Sequence, residues 1–169
     1  VTGSSYRLRR PAWGASFFLL IAMMVTSTVH ASEVAVPAFG GHLVGTDRGE
    51  WIGELAYVAR DGTRQTLLRD NVFGIANGGA GTFVIAGLAH GTINRGAVYR
   101  IDRAADDTFS VNQVIVLTGS PSQVRTYSDG TADFLVLEGW IDDDRRHFRC
   151  YRLANARAES ANTCEPPPR

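Results

Sequence analysis

Lysine is absent from this chain: all 17 basic residues are Arg, set against 17 acidic residues and 4 His. Without an amine side chain, Schiff-base catalysis, a lysine general base and the phosphate-gripping lysine of a P-loop are excluded. Codon bias toward Arg accounts for the gap without any functional cause. Cysteine is scarce as well, and the two present, Cys150 and Cys164, form no Cys-x-x-Cys pair of the kind that zinc sites use. No His-x-x-x-His or His-Glu-x-x-His spacing places two imidazoles on one helical face. A Gly-x-Ser-x-Gly nucleophile elbow is missing too. The segment Gly79-Ala80-Gly81-Thr82-Phe83-Val84 begins like a dinucleotide loop, but it lacks the third glycine and a following helix. With neither sign of charge in excess, the electrostatic case for a nucleic-acid partner disappears.

What is present begins with a cationic stretch, Arg7, Arg9 and Arg10, followed by an apolar run from Ala12 to Val25 and the small-residue exit Thr26 to Ser32. This order is that of a secretory signal peptide. Val29 and Ala31 suit the pocket of a signal peptidase, which sets the expected cleavage between Ala31 and Ser32. The competing reading is an uncleaved anchor, but the apolar run has 14 residues and a membrane-spanning helix needs about 20. No cysteine follows the run, so a lipid anchor is not expected, and no membrane span is expected after cleavage. The remaining 138 residues carry 14 Arg against 17 acidic groups, a formal charge of −3. A periplasmic or secreted location follows. There an oxidising milieu permits a disulfide between Cys150 and Cys164; the alternatives are a reactive thiol or a metal pair lacking its other ligands.

From residue 34 onward, short hydrophobic runs alternate with Gly, Asp and Asn, which predicts an all-β domain over residues 32–153 with a tail at 154–169. Strands are expected at 51–59, 66–69, 72–76, 82–89, 97–102, 111–118, 123–127, 133–139 and 148–153. Between them, Asp61-Gly62, Asn77-Gly78-Gly79, Asn94-Arg95-Gly96 and Asp129-Gly130 supply turn residues. No crossover helices intervene, so the pairing is expected to be antiparallel. Phe83 to Ala86 and Phe134 to Leu137 are apolar at every position, as strands buried on both faces are. The Pro-rich tail is expected to add at most one short helix.

Two internal echoes stand out. Asp47-Arg48-Gly49 resembles Asn94-Arg95-Gly96 at an offset of 47, and Phe83-Val84-Ile85 resembles Phe134-Leu135-Val136 at an offset of 51. The segments 72–76, 82–88, 95–101 and 111–119 follow one another like the four strands of one propeller blade. On this spacing, residues 41–153 resemble generic bacterial β-propeller repeats, although neither a Trp-Asp dipeptide nor a kelch-type double glycine recurs. The resemblance implies an antiparallel meander of two to three propeller-like blades, an incomplete ring, since closed propellers take roughly four to eight. It also implies that Phe83 and Phe134 are equivalent. A β-barrel or sandwich is the alternative architecture, and homo-oligomerisation would protect exposed edges.

Candidate chemistry is sparse. His42, His90 and His147 lie far apart in sequence. Asp129-Gly130-Thr131-Ala132-Asp133 resembles the second half of a calcium loop of integrin-type repeats, which makes Asp129 and Asp133 candidate ligands. The earlier acidic positions of such loops are here Arg125 and Tyr127, and Arg repels a cation. The run Asp142-Asp143-Asp144-Arg145-Arg146 is expected at a hairpin tip. Trp51, Tyr57, Tyr99, Tyr127 and Trp140 are candidates for a sugar-stacking surface with His90 as a polar neighbour; the alternative is strand and core placement.

The expected function is that of an exported binding or scaffold module for a protein or carbohydrate, with no cofactor or metal and no catalytic constellation. The alternatives are a propeller-type lactonase or lyase using His90 or His147 as acid or base, and a lectin-like sugar-binding oligomer. Intact-mass and N-terminal sequencing of material exported by a bacterium should show a chain that starts at Ser32; a retained Arg7 to Ala31 segment would contradict the signal reading.

Overall fold

The computed structural model describes residues 32–142 and 145–164, with the side chains of 140–142 outside that description. The signal segment and Asp143 and Asp144 therefore lie outside the described residues. Within them there is no helix, and the strands are β1 (Ser32–Ala38), β2 (Gly41–Asp47), β3 (Leu55–Val58), β4 (Arg64–Leu68), β5 (Asn71–Gly78), β6 (Gly81–His90), β7 (Ile93–Arg103), β8 (Phe109–Leu117), β9 (Pro121–Thr126), β10 (Ala132–Asp142), β11 (Arg145–Ala154) and β12 (Arg157–Ser160). Four consecutive strands at a time form three antiparallel meander sheets, β1 to β4, β5 to β8 and β9 to β12, none closed into a barrel. The four segments that read as one blade are the middle sheet.

The sheets stack face to face. One core lies between the first and middle sheets, around Leu43, Leu55, Val72, Val84 and Ile101. A second lies between the middle and third, around Phe83, Ile85, Val98, Phe134 and Leu153. Strand alternation explains how one sheet serves both cores. In each sheet, count along the second strand from the residue closing the first hairpin, which is Gly41, Gly81 or Thr131. Even steps face the following sheet: Leu43 packs toward the middle sheet, and Phe83 and Ile85 toward the third. Odd steps face the preceding sheet, as Val84 does in the middle sheet and Ala132 and Phe134 do in the third.

This count corrects the expected equivalence of Phe83 and Phe134. Both are buried, at 1% and 0% exposure, and both lie on second strands. Phe83 is two steps from its closing residue and Phe134 three, so they enter the same core from opposite sheets. The three-residue loop Ser128-Asp129-Gly130 shifts the phase by one residue relative to the two-residue turn of the middle sheet. A one-residue slip exchanges every side chain between faces.

Three further expectations change. Trp51 lies outside β3, in the loop after β2, because that loop is pinned by Asn71: Asn71 Oδ1 accepts from the backbone N–H groups of Arg48 at 3.0 Å and Gly53 at 2.7 Å, and its amide nitrogen donates to the Gly49 carbonyl. The first two strands, where no strand is expected before residue 51, pair along their whole length from Ser32↔Asp47 to Ala38↔Gly41. Gly45 of β2 has a packing cause, since a Cβ there would sit 2.3 Å from Val72 Cγ1 of the middle sheet. The tail holds a strand, β12, instead of a helix. It is reached through a two-residue turn in which Asn155 and Ala156 take positive φ, a conformation that Ala rarely signals.

A disulfide joins Cys150 of β11 to Cys164, with Cα atoms 5.5 Å apart, and ties the end of the third sheet to its centre. Closing a loop of this length stabilises a fold by on the order of 3 kcal/mol in the chain-entropy view. The bond is compatible with an extracytoplasmic protein. No helix among the described residues is long and apolar enough to cross a membrane.

Phe83→Ala and Phe134→Ala should each lower stability by about 3–5 kcal/mol in urea unfolding. Because the two rings share one core, the double variant should lose less than the sum.

Candidate functional site

The first strand of each later sheet runs close against its predecessor. A Cβ on Gly74 of β5 would lie 2.4 Å from Val124 Cγ1 of β9, so only glycine permits that approach. Where β5 and β9 begin and β2 ends, the three sheets leave a pocket of about 210 Å³. Its lining includes Asp47 from β2, Asn71 and Phe73 from β5, Pro121 and Ser122 from β9, and Phe148 from β11.

Each group reaches the pocket for a local reason. The β5–β6 register jumps between Val72 and Gly74, so Phe73 is the bulged residue and leaves the ordinary alternation; bulges re-aim side chains in this way. The Asp47 Oδ1 accepts from Gly49 N–H at 2.8 Å, which holds the start of the following loop. Pro121 opens β9, a position where the missing N–H costs no ladder bond. The segment before it is tethered by Asn94 of β7, whose Oδ1 accepts from Ser120 N–H at 2.8 Å and whose amide donates to the Leu137 carbonyl at 2.7 Å. Ser122 Oγ is buried with no hydrogen-bond partner among the described residues. Buried hydroxyls are ordinarily satisfied, and this one lies just beneath the pocket surface.

The buried carboxylate of Asp70, next to the pocket-lining Asn71, is committed to structure. Asp70, with its side chain 3% exposed, takes a two-pronged contact from Arg95, 2.5 and 3.1 Å, across the middle sheet's own strands. The Asp70 hydrogen bond raises the Arg95 pKa above its ordinary value. Burial, and then the Asp70 charge, push the Tyr99 hydroxyl up.

The residues singled out from sequence separate. Asp133 is buried and takes Arg152 through two 2.7 Å contacts and the Tyr127 hydroxyl at 2.9 Å, so both carboxylate oxygens are engaged. Asp129 Oδ1 accepts from the Thr131 N–H at 2.9 Å and its hydroxyl at 2.7 Å, closing its own turn. No cluster of three or more metal-ligating side chains occurs among the described residues. His90 Nδ1 lies 3.1 Å from Glu50 in a groove beside the pocket. His42 belongs to a groove at the β1–β2 hairpin, and His147 sits 3.6 Å from Glu138. Glu138 is 15% exposed; burial opposes its charge, yet contacts led by Arg149 bring its pKa below the usual value.

The aromatics do not make one surface. Trp51 is 68% exposed on its loop, Tyr99 packs against the first core, Tyr57 is buried with its hydroxyl donating to the Phe39 carbonyl at 3.1 Å, and the Trp140 side chain lies outside the described residues. The rings at the pocket are Phe73 and Phe148, which sequence reading treated as strand residues. Only the bulge and the close approach of β5 to β9 bring them together, and neither has a sequence signal. Asp142 pairs with Arg145 across the β10–β11 register, so the acidic-basic run does span a hairpin end. Compared with known proteins, the chain matches no family model, no curated protein and no solved structure.

The Arg152 hydrogen bond outweighs burial and lowers the Asp133 pKa from its ordinary 3.8. A carboxylate depressed in the folded state stabilises it above the unfolded pKa, and that stability fades as pH falls below about 4 through the folded value. Asp133→Asn should therefore cost about 1–3 kcal/mol at pH 7 and flatten the loss of stability between pH 7 and pH 3, read by thermal melts across that range.

Proposed function

We propose that the protein is an exported binding module and that its ligand is a sugar ring held in the pocket where the three sheets converge. The observation that carries this reading is a lining that combines two aromatic residues, Phe73 and Phe148, with the polar residues Asp47, Asn71 and Ser122. A sugar presents an apolar C–H face and a rim of hydroxyls, which is the complement of that lining. Size agrees. Pockets for drug-sized ligands run to about 300–1,000 Å³, and 210 Å³ suits one ring rather than a larger molecule. The disulfide is compatible with export and the N-terminal segment has the order of a secretory signal; an exported chain meets the glycans of surfaces and polymers, which supports the reading. The lactonase or lyase alternative would draw on His90 or His147, and neither lines this pocket.

The test is calorimetric titration of the purified protein with free glucose, galactose, mannose and N-acetylglucosamine. At least one should bind with a dissociation constant of about 1 mM or tighter, and Phe148→Ala should weaken it about tenfold, or 1.4 kcal/mol. Absence of heat with all four, or binding that ignores both Phe148→Ala and Asp47→Asn, would refute the assignment.

A further inference from the structure

The stacking obeys one rule within the chain: the even face of each sheet packs on the odd face of the next. Two faces are left over, the odd face of the first sheet and the even face of the third. We infer that these faces pack on each other between two copies of this chain, closing a ring of six four-stranded sheets.

Over part of their register the leftover faces resemble the buried ones, and at the place of Phe83 the third sheet instead carries Asp133, held by Arg152. On the odd face of the first sheet, Val44, Ala56 and Val58 occupy the register places that Val84, Tyr99 and Ile101 fill in the middle sheet. Ala56 is already wholly buried and Val44 and Val58 are half-buried. On the even face of the third sheet, Leu135 and Cys150 occupy the places of Ile85 and Val98. The disulfide lies on this face, and a groove lined by Leu135, Phe148, Cys150 and Cys164 crosses it. The charges are complementary in sign. The third sheet's face nets two positive charges, from Arg125, Arg146, Arg152 and Arg157 against Asp133 and Glu159, and the first sheet's nets one negative, from Glu33 and Glu54 against Arg64.

Area decides between a closed pair and an open chain of copies. A face about six residues long and four strands wide measures about 20 by 19 Å. One such contact buries about 750 Å² in total, the range of incidental packing, whereas a closed pair makes two and buries about 1,500 Å², a standard stable interface. Two copies also give six sheets, inside the range of closed propellers, and three would give nine, outside it. The contact is head-to-tail, so it must close to avoid growing into a filament. Closure would put the second copy beside the pocket, because Phe148 lines both the pocket and the contact groove.

The experiment is light scattering after size exclusion on the full chain as purified from an exporting bacterial expression strain, from about 1 to 100 µM, a range that covers interfaces of this size. A mass twice that of the denatured chain, constant with concentration, is expected. Val44→Arg and Leu135→Glu should each give the single-chain mass with an unchanged circular dichroism spectrum, and Val58→Arg replaces Val44→Arg if that variant does not fold. Mixing the Val44→Arg and Leu135→Glu proteins should restore the doubled mass, since the mixed pair keeps one unaltered contact and gains one Arg–Glu contact. A single-chain mass for the unaltered protein at every concentration, a mass that grows without limit, variants that stay dimeric, or a mixture that stays single would overturn the proposal. None of these readings depends on whether a sugar binds.

Discussion

A sheet of short strands has two faces, and the middle sheet carries apolar residues on both. Phe83 and Ile85 point one way and Val84 and Ala86 the other, all at 1% exposure or less. Leaving either set in water would forfeit about 1.5–3 kcal/mol for each large side chain. The middle sheet therefore requires a neighbour on each side, and the first and third sheets meet that demand. Every close approach that shapes the pocket follows from it, including glycine at Gly45 and Gly74, where a side chain of the next sheet occupies the space a Cβ would take.

Apolar stacking sets distance but leaves the sheets free to slide. Polar clamps remove that freedom at the edge where strands begin. Asn71 reaches from the middle sheet to the loop after β2, and Asn94 reaches from the middle sheet to Ser120 and Leu137 of the third. Both are amides with donor and acceptor used together, and paired bonds of this kind specify a geometry more sharply than they add stability. The pocket sits between the two clamps. Its walls are therefore rigid elements, which is what a site for a small ligand needs.

Acidic side chains that look chemical in the sequence turn out to be mechanical. Asp133 ties β10 to β11 through Arg152, Asp70 ties the start of β5 to β7 through Arg95, and Asp129 closes a turn. A chain whose cations are all guanidiniums is suited to this use, because a planar fork can satisfy both oxygens of a carboxylate. His90 at the end of β6 and Glu50 of the loop after β2, by contrast, meet half-exposed to water, where a polar contact contributes little.

What the sequence determined by itself was local: the strands, the antiparallel turns, the disulfide and the middle sheet as four consecutive segments, all read from hydrophobic runs broken by turn residues. It under-read β1, β2 and β12. Gly45 of β2 makes room for Val72 of another sheet, a cause that no local pattern carries, and the turn before β12 uses Asn155 and Ala156 at positive φ where the usual glycine is missing. Faces were beyond it as well: Phe83 and Phe134 match in sequence but oppose each other in space, because one extra loop residue reverses the alternation. The pocket belongs wholly to the tertiary structure. Asp47, Phe73, Ser122 and Phe148 come from strands of three different sheets, and a pattern along the chain carries no record of which strand ends are brought together when buried faces must find partners.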